Sequence, residues 1–577
     1  MASRLTTFIV VLIVAGTLIA GLIVGAQRDD ESGPVDLIVT NGRVYLGSDT
    51  DFAEALAIRG NKILRVGSNR AIKRLRRPQT TMVDAHGGSV LPGFNDAHVH
   101  LMSGGLGLSE LNLLGATTLE SIQSAVTDFA AAHPERPWVR GRGWYYDPFP
   151  GGLPTRQQLD AVVPDRPAYL VAYDGHTAWA NTKALAAAGI TRRTPNPPHG
   201  VIVKDARSGE PTGVLKEGAL ALMREALPQP TKADRLNALR AAVREAQRLG
   251  ITSVQNAGGS PDDLALLDEL RTAGELQVRV YAALSLGPGA RDAEVQALET
   301  VRQKYSDDPL LKVGAVKLMT DGVIESHTAL MLEPYADKAT TGTPYFAPDE
   351  LERLVGVLDK AGWQVQIHAI GDGAVRMSLD ALERAATVNP VPPRGRRHRL
   401  EHIETVDPAD IPRFGALGVI ASQQPFHGSP VPSQMTVWTS NIGEIRASRG
   451  WAYGSIAARG GRLAFGSDWP VVTLDPRPGI HTAVTRTTIE GQPEEGWYPA
   501  ERISLTQALD AYTRGAAWAS FDEQRKGTLA RDMLADVVIL SSDIFAPDAR
   551  IMDAIVETTI FDGKVVYTRP QEPAETE

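Results

Sequence analysis

The sequence predicts an α/β fold: a closed barrel of eight strands with intervening helices, a small β domain assembled from both ends of the chain, and a separate N-terminal transmembrane helix. Three observations predict it. Short apolar β-like runs alternate with helical segments through the middle of the chain, as a barrel requires. Short strands with turn dipeptides cluster at both termini. Residues 8–26 form an uncharged apolar run, long enough at ~1.5 Å per residue to approach the ~30 Å core of a bilayer.

The chain has 577 residues, 43% hydrophobic and 22% charged, enough to bury a large core. Its formal charge of -9 is spread without a block of either sign, which argues against nucleic acid as a partner. It has no cysteine, which excludes thiolate metal sites, disulfides and a cysteine nucleophile. Any metal must be held by histidine, carboxylate or something less usual.

Arg4 precedes the apolar run, and Arg28, Asp29 and Asp30 follow it. Residues 1–34 therefore read as an uncleaved membrane anchor, with the rest of the chain outside the cytoplasm. Secretion after cleavage near Val24-Gly25-Ala26 is the alternative. Next come residues 35–40 and 43–46, predicted to form a hairpin across Asn41-Gly42, and residues 55–67, which repeat the pattern around Gly60-Asn61. The C-terminus echoes them at residues 535–540, 554–559 and 561–567. Residues 35–92 and 526–570 are accordingly expected to build one β domain, with 571–577 as a tail.

Between them, residues 93–525 carry the barrel. Its expected strands run into His98 and over 250–255, 276–286, 313–319, 363–370, 398–403, 418–423 and 463–467, with helices over 232–249, 348–361 and 374–386. The segment 104–249 is too long for one crossover and is expected to be an insertion over the barrel mouth.

The chemistry-bearing residues fall at the C-terminal ends of these strands, where barrel active sites are built: His98, His100, Lys317, His368, His402 and Asp468. Residues i and i+2 of a strand share a face, so His98 and His100 can grip one ion. Singly, His368 reads equally well as a core histidine, His402 as a cap and Asp468 as a turn residue. Lys317 is harder to explain away, because an unpaired ammonium in the apolar strand Ala315-Val316-Lys317-Leu318-Met319 costs several kcal/mol. Burial leaves such a lysine neutral and able to take up CO2 as an anionic carbamate, a bidentate metal bridge.

Five motifs carry a family resemblance: Pro92-Gly93-Phe94-Asn95-Asp96-Ala97-His98-Val99-His100, Val316-Lys317-Leu318-Met319-Thr320-Asp321-Gly322, Ile367-His368-Ala369-Ile370-Gly371-Asp372, Arg399-Leu400-Glu401-His402 and Gly466-Ser467-Asp468-Trp469-Pro470-Val471. The chain resembles the amidohydrolase superfamily, within it the family 3 branch that includes N-substituted formamide deformylases. The resemblance implies a distorted TIM (β/α)8 barrel with a small β-sandwich from both termini. It implies one or two metals: one on His98, His100 and Asp468, a second on His368 and His402 with carboxylated Lys317 between them, although some members of the superfamily work with one. Zinc is expected, with iron, manganese or cobalt fitting the same ligands. A metal-bound hydroxide would attack a carbonyl, and Asp468 would shuttle its proton.

Tyr173-Asp174-Gly175-His176 resembles a segment that faces the metals, which makes His176 the candidate for orienting the carbonyl. Trp144, His427 and His327 are further substrate-binding candidates; relatives often carry arginine at the position of His327. Gln255-Asn256 stands where relatives often have His-Asp, so the pocket's polar network is expected to differ.

The expected activity is hydrolysis of a carbon–nitrogen bond other than a peptide bond, in a small N-substituted amide. Cyclic amide hydrolysis, deamination, and a catalytically silent membrane-tethered binding protein are the alternatives. Expected partners are the small-molecule amide, no nucleic acid and the membrane through the N-terminal helix, with a homodimer left open.

Overall fold

A computed structural model describes residues 34–48, 50–305 and 307–570. Eight parallel strands form the barrel in sequential order: β1 (Phe94–Val99), β2 (Ile251–Asn256), β3 (Arg279–Ser285), β4 (Leu311–Met319), β5 (Gln364–Ala369), β6 (Arg399–His402), β7 (Ile420–Gln423) and β8 (Arg462–Phe465). Most of their residues are buried on both faces, because helices cover the outside of a parallel sheet while side chains fill its inside. All eight expected strands are present.

The seam between β8 and β1 is closed just beyond β8. Asp468 N–H donates to His98 O at 2.7 Å, and His100 N–H donates to Trp469 O at 2.8 Å. Asp96 clamps the same seam, its Oδ1 accepting from His98 N–H at 3.0 Å and Ser467 N–H at 2.9 Å. Gly466 is required there, since a Cβ would lie 2.4 Å from His98 N.

The helices follow from local signals. Lys232–Arg248 opens with a reciprocal capping box between Thr231 and Asp234 and buries Leu239, Ala242, Val243 and Ala246. It packs on β2 and on the helix Leu101–Gly107, so the inserted layer ends before it. That layer is a six-stranded sheet, from Leu111–Asn112 through Val139–Trp144, Ala168–Ala172, Thr177–Ala180 and Pro211–Glu217 to the edge strand Gly200–Lys204.

The terminal strands form a four-stranded and a six-stranded sheet. Val537–Leu540 pairs antiparallel with Ser89–Pro92, Val538 opposite Leu91, so the two ends of the chain share one sheet. Leu37, Val39 and Leu56 from one sheet pack with Val90, Val537 and Ile560 from the other. The Gly60-Asn61 hairpin forms as expected. The hairpin expected at Asn41-Gly42 does not: Leu37–Thr40 pairs with Ala55–Arg59 and Thr81–Asp84, whereas Arg43–Ser48 pairs with Asp51–Ala53 and Ser89–Pro92. Asn41, at φ 56°, turns the chain from one sheet into the other.

Among the described residues no helix is long and apolar enough to cross a membrane. The longest, Lys232–Arg248 and Asp372–Val388, have 17 residues each and carry charged side chains, against the ~20 mostly apolar residues a span needs. Residues 8–26 lie outside the described residues. The expectation of a membrane-anchored protein with a transmembrane helix is corrected accordingly.

Candidate metal centre

The strand ends bring His100, Lys317, His368, His402 and Asp468 to a cavity of about 1060 Å³, which His176 and His427 also line; His98 is fully buried beside them. His98 lies in β1 and His100 just after it, and both present Nε2 to Asp468 Oδ1, at 3.4 and 3.1 Å. Asp468 Oδ2 lies 3.9 Å from His402 Nδ1 and 3.9 Å from His427 Nε2. Two groups thus share one carboxylate, His98–His100–Asp468 and His402–His427–Asp468, the donor atoms in each lying within 4.8 Å of one another. Lys317 Nζ is 3.3 Å from His98 Nε2.

At the second group, His368 and His427 both stand beside His402. His368 packs its ring 4.5 Å from that of His402, but its Nε2 faces Gly322 O at 3.3 Å and Asp321 Oδ1 at 3.6 Å. His427, expected only to line the pocket, stands nearer Asp468.

The donor set fits a divalent cation. His402 Nδ1, His427 Nε2 and Asp468 Oδ1 are buried without a hydrogen bond, an unfavourable state that a shared cation relieves. Burial pushes His98 down to about 4 and holds His368, His402 and His427 below the ordinary imidazole range, so the rings are neutral ligands at physiological pH. Burial alone would raise the Asp468 carboxyl, but His98, His100 and His402 keep it well below the usual carboxylate range. Burial also lowers the Lys317 ammonium.

A buried ion pair aims His98. Its Nδ1 meets Glu401 Oε2 at 2.6 Å, and Arg399 holds that carboxylate through two hydrogen bonds of 2.8 and 3.0 Å. The other ring nitrogen is thereby directed at the centre. Arg399 also donates to Ala97 O, Ser422 Oγ and Gln255 Oε1. Gln255, the departure noted in the sequence, thus belongs to this network, and Asn256 Oδ1 accepts from Leu101 N–H at 3.0 Å.

His176 sits at the tip of the hairpin between Ala168–Ala172 and Thr177–Ala180, its ring 5.7 Å from that of His368. Its Nδ1 pairs with Glu217 Oε2 at 2.8 Å. Burial opposes protonation of this ring, but the Glu217 carboxylate carries it up to about 9.

Trp144 and His327 are not brought to the cavity. Trp144 is fully buried against Tyr146, Phe149 and Trp179 and donates to Leu170 O at 3.0 Å. It fills the core of the inserted layer, so Trp144→Ala is expected to cost about 3–5 kcal/mol, read as a lower urea midpoint. His327 turns to Asp337, 2.9 Å away.

Glu401, Arg399 and Asp321 stand in the motifs but have no role assigned from sequence, and Glu217 stands in none. The alternation Arg399-Leu400-Glu401 was the available signal for the first two, since it puts both charges on one face of β6. Nothing local marked Glu217, which meets His176 from the adjacent strand of the inserted sheet.

The family model described as the amidohydrolase family matches residues 81–567. Protein LONG AFTER FAR-RED 3 of Arabidopsis thaliana is 35% identical over 92% of this chain and 91% of its own. The N-substituted formamide deformylase of Arthrobacter pascens is 26% identical over 92% of this chain and 98% of its own. An uncharacterized metal-dependent hydrolase from Pyrococcus furiosus superposes with a TM-score of 0.67 at 27% identity, over 88% of this chain and 100% of its own. With these matches and the centre described above, the chain belongs to the amidohydrolase family and is a metal-dependent hydrolase.

Proposed function

We propose that this hydrolase cleaves the carbon–nitrogen bond of a small N-substituted amide. The observation that carries the reading is the shared Asp468 carboxylate between two histidine groups, with a buried lysine beside it. The likeness to the Arthrobacter deformylase supports the bond type.

His98, His100, His402 and Asp468 would hold metal together with the carbamate of Lys317, and His368 or His427 would complete the second group, with zinc favoured by the histidine-rich set. Bound there, the metal supplies Lewis acidity, which lowers the pKa of water and polarises a carbonyl. Lys317 Nζ would add to CO2, forming an N–C bond and releasing one proton, so that a carbamate anion replaces the amine. Asp468, ionised and central, would take the proton of the attacking water and return it to the departing nitrogen. His176 Nε2, which has no hydrogen-bond partner among the described residues, would donate to the carbonyl oxygen as negative charge develops.

The deciding experiment offers the metal-loaded full chain an N-substituted formamide, a cyclic amide and an Xaa-Pro dipeptide. Release of amine and acid from the formamide is expected to be fastest. Preferred cleavage of the dipeptide, or ammonia as the only product, displaces the reading.

The role of His176 predicts a pH profile. Glu217, Asp174 and Asp321 raise its pKa and His368 packs beside it. A raised pKa means the protonated form prevails below it, so kcat/KM is expected to fall as pH rises through about 9. Glu217→Gln removes the main counter-charge and leaves burial dominant, which moves that limb downward by at least one pH unit, on the order of the 1.4 kcal/mol per unit of lost interaction. An unmoved limb removes His176 from the mechanism.

A further inference from the structure

On the same cavity, beyond the metal centre, three elements bring together acceptors with no cation to meet them. Glu325 comes from the loop after β4, Glu404 from the segment after β6 and Gln434 from the short helix Gln434–Trp438. Their relative exposures are 8%, 6% and 4%. Neither carboxyl pairs with a lysine or arginine among the described residues. Arg142, on the same cavity, donates instead to Tyr173 O at 3.1 Å, its other guanidinium end left without a hydrogen bond.

Gln434 is the independent pointer to a ligand. Its Nε2 donates to Tyr173 OH at 3.2 Å, and Tyr173 OH in turn donates to Glu325 Oε1. This chain fixes the amide orientation, and it leaves Gln434 Oε1 buried with no hydrogen bond. Glu404 has a single neutral donor, Trp438 Nε1 at 2.9 Å. Buried acceptors of this kind cost free energy until a donor fills the space, and two neighbouring carboxylates additionally call for positive charge.

We infer that Glu325, Glu404 and Gln434 form a subsite for a cationic nitrogen, an alkylammonium group carried by the substrate. An ammonium offers three N–H donors and one positive charge, which matches three acceptors with one ionised carboxyl among them. Burial and the nearby Asp174 push Glu325 up to about 7, as expected of a carboxyl that lacks its counter-ion. The substrate class narrows to amides with an amine remote from the scissile bond. This rests on the amide reading for turnover but not for binding.

The test therefore measures binding. Calorimetry on the metal-loaded full chain at pH 8 compares benzylammonium, benzyl alcohol and benzoate. Benzylammonium is expected to bind at least about tenfold more tightly than the alcohol, the scale of a hydrogen bond to a charged group. Glu325→Gln should remove most of that preference, and Gln434→Met part of it, with metal content and circular dichroism as controls for folding. Equal binding of ammonium and alcohol overturns the inference, as does tighter binding of benzoate, which would move recognition to Arg142. A retained ammonium preference supports the subsite even if no amide is hydrolysed, an outcome that strikes only the amide reading.

Discussion

Lys317→Ala is expected to lose bound metal and hydrolysis together while the barrel stays folded. Lys317 is 6% exposed in β4, and its Nζ approaches His98 Nε2 at 3.3 Å. Its flanking residues Val316 and Leu318 are fully buried and keep the strand in place. Changing groups that merely support ligands costs about 10–100-fold in metal affinity, so losing a residue that would itself hold metal should cost more than about 100-fold. Activity should drop by over ~10³, since acid–base groups alone supply about 10²–10⁴. Lys317→Met keeps the shape and should fail equally, which separates chemistry from packing. Metal analysis, circular dichroism and turnover are measured on one preparation, and wild-type turnover in either variant refutes the carbamate. A carbon-13 carbamate resonance from labelled bicarbonate, absent in Lys317→Ala, reports the bridge without reference to activity.

Asp468→Asn should lower kcat by about 10²–10⁴ with KM little changed. The amide keeps the shape of a carboxylate but can neither take up nor return a proton at neutral pH. Asp468 is also the one side chain common to both donor groups, so the same variant should weaken metal binding. Near-wild-type kcat at full metal loading would remove Asp468 as the proton carrier.

Much of this was legible in the chain. Eight apolar runs marked the barrel because parallel strands are buried on both faces, and the periodicity of two in His98-Val99-His100 fixed their common aim. The Asn41-Gly42 turn misled because its preference for positive φ specifies a bend and not the partner of the next strand. The approach of His427 to Asp468 was hidden because nothing in Gln424-Pro425-Phe426-His427 marks it locally. Trp144 looked like a pocket residue because an aromatic ring serves a core or a ligand equally well; its packing against Trp179 decides. Glu217 and Glu325 needed three-dimensional knowledge, since they meet their histidine and tyrosine partners from 41 and 152 residues away in sequence.

The seam between β1 and β8 has a consequence for biosynthesis. Asp96 and Ser467, which clamp it, are 371 residues apart in sequence, and the donors flank the same junction. A ribosome must emit nearly the whole polypeptide before the first and last staves can meet. Contacts of such long range are slow to form, so an emerging or truncated chain is expected to remain inert towards substrate, and reactivity should arrive in a single late event.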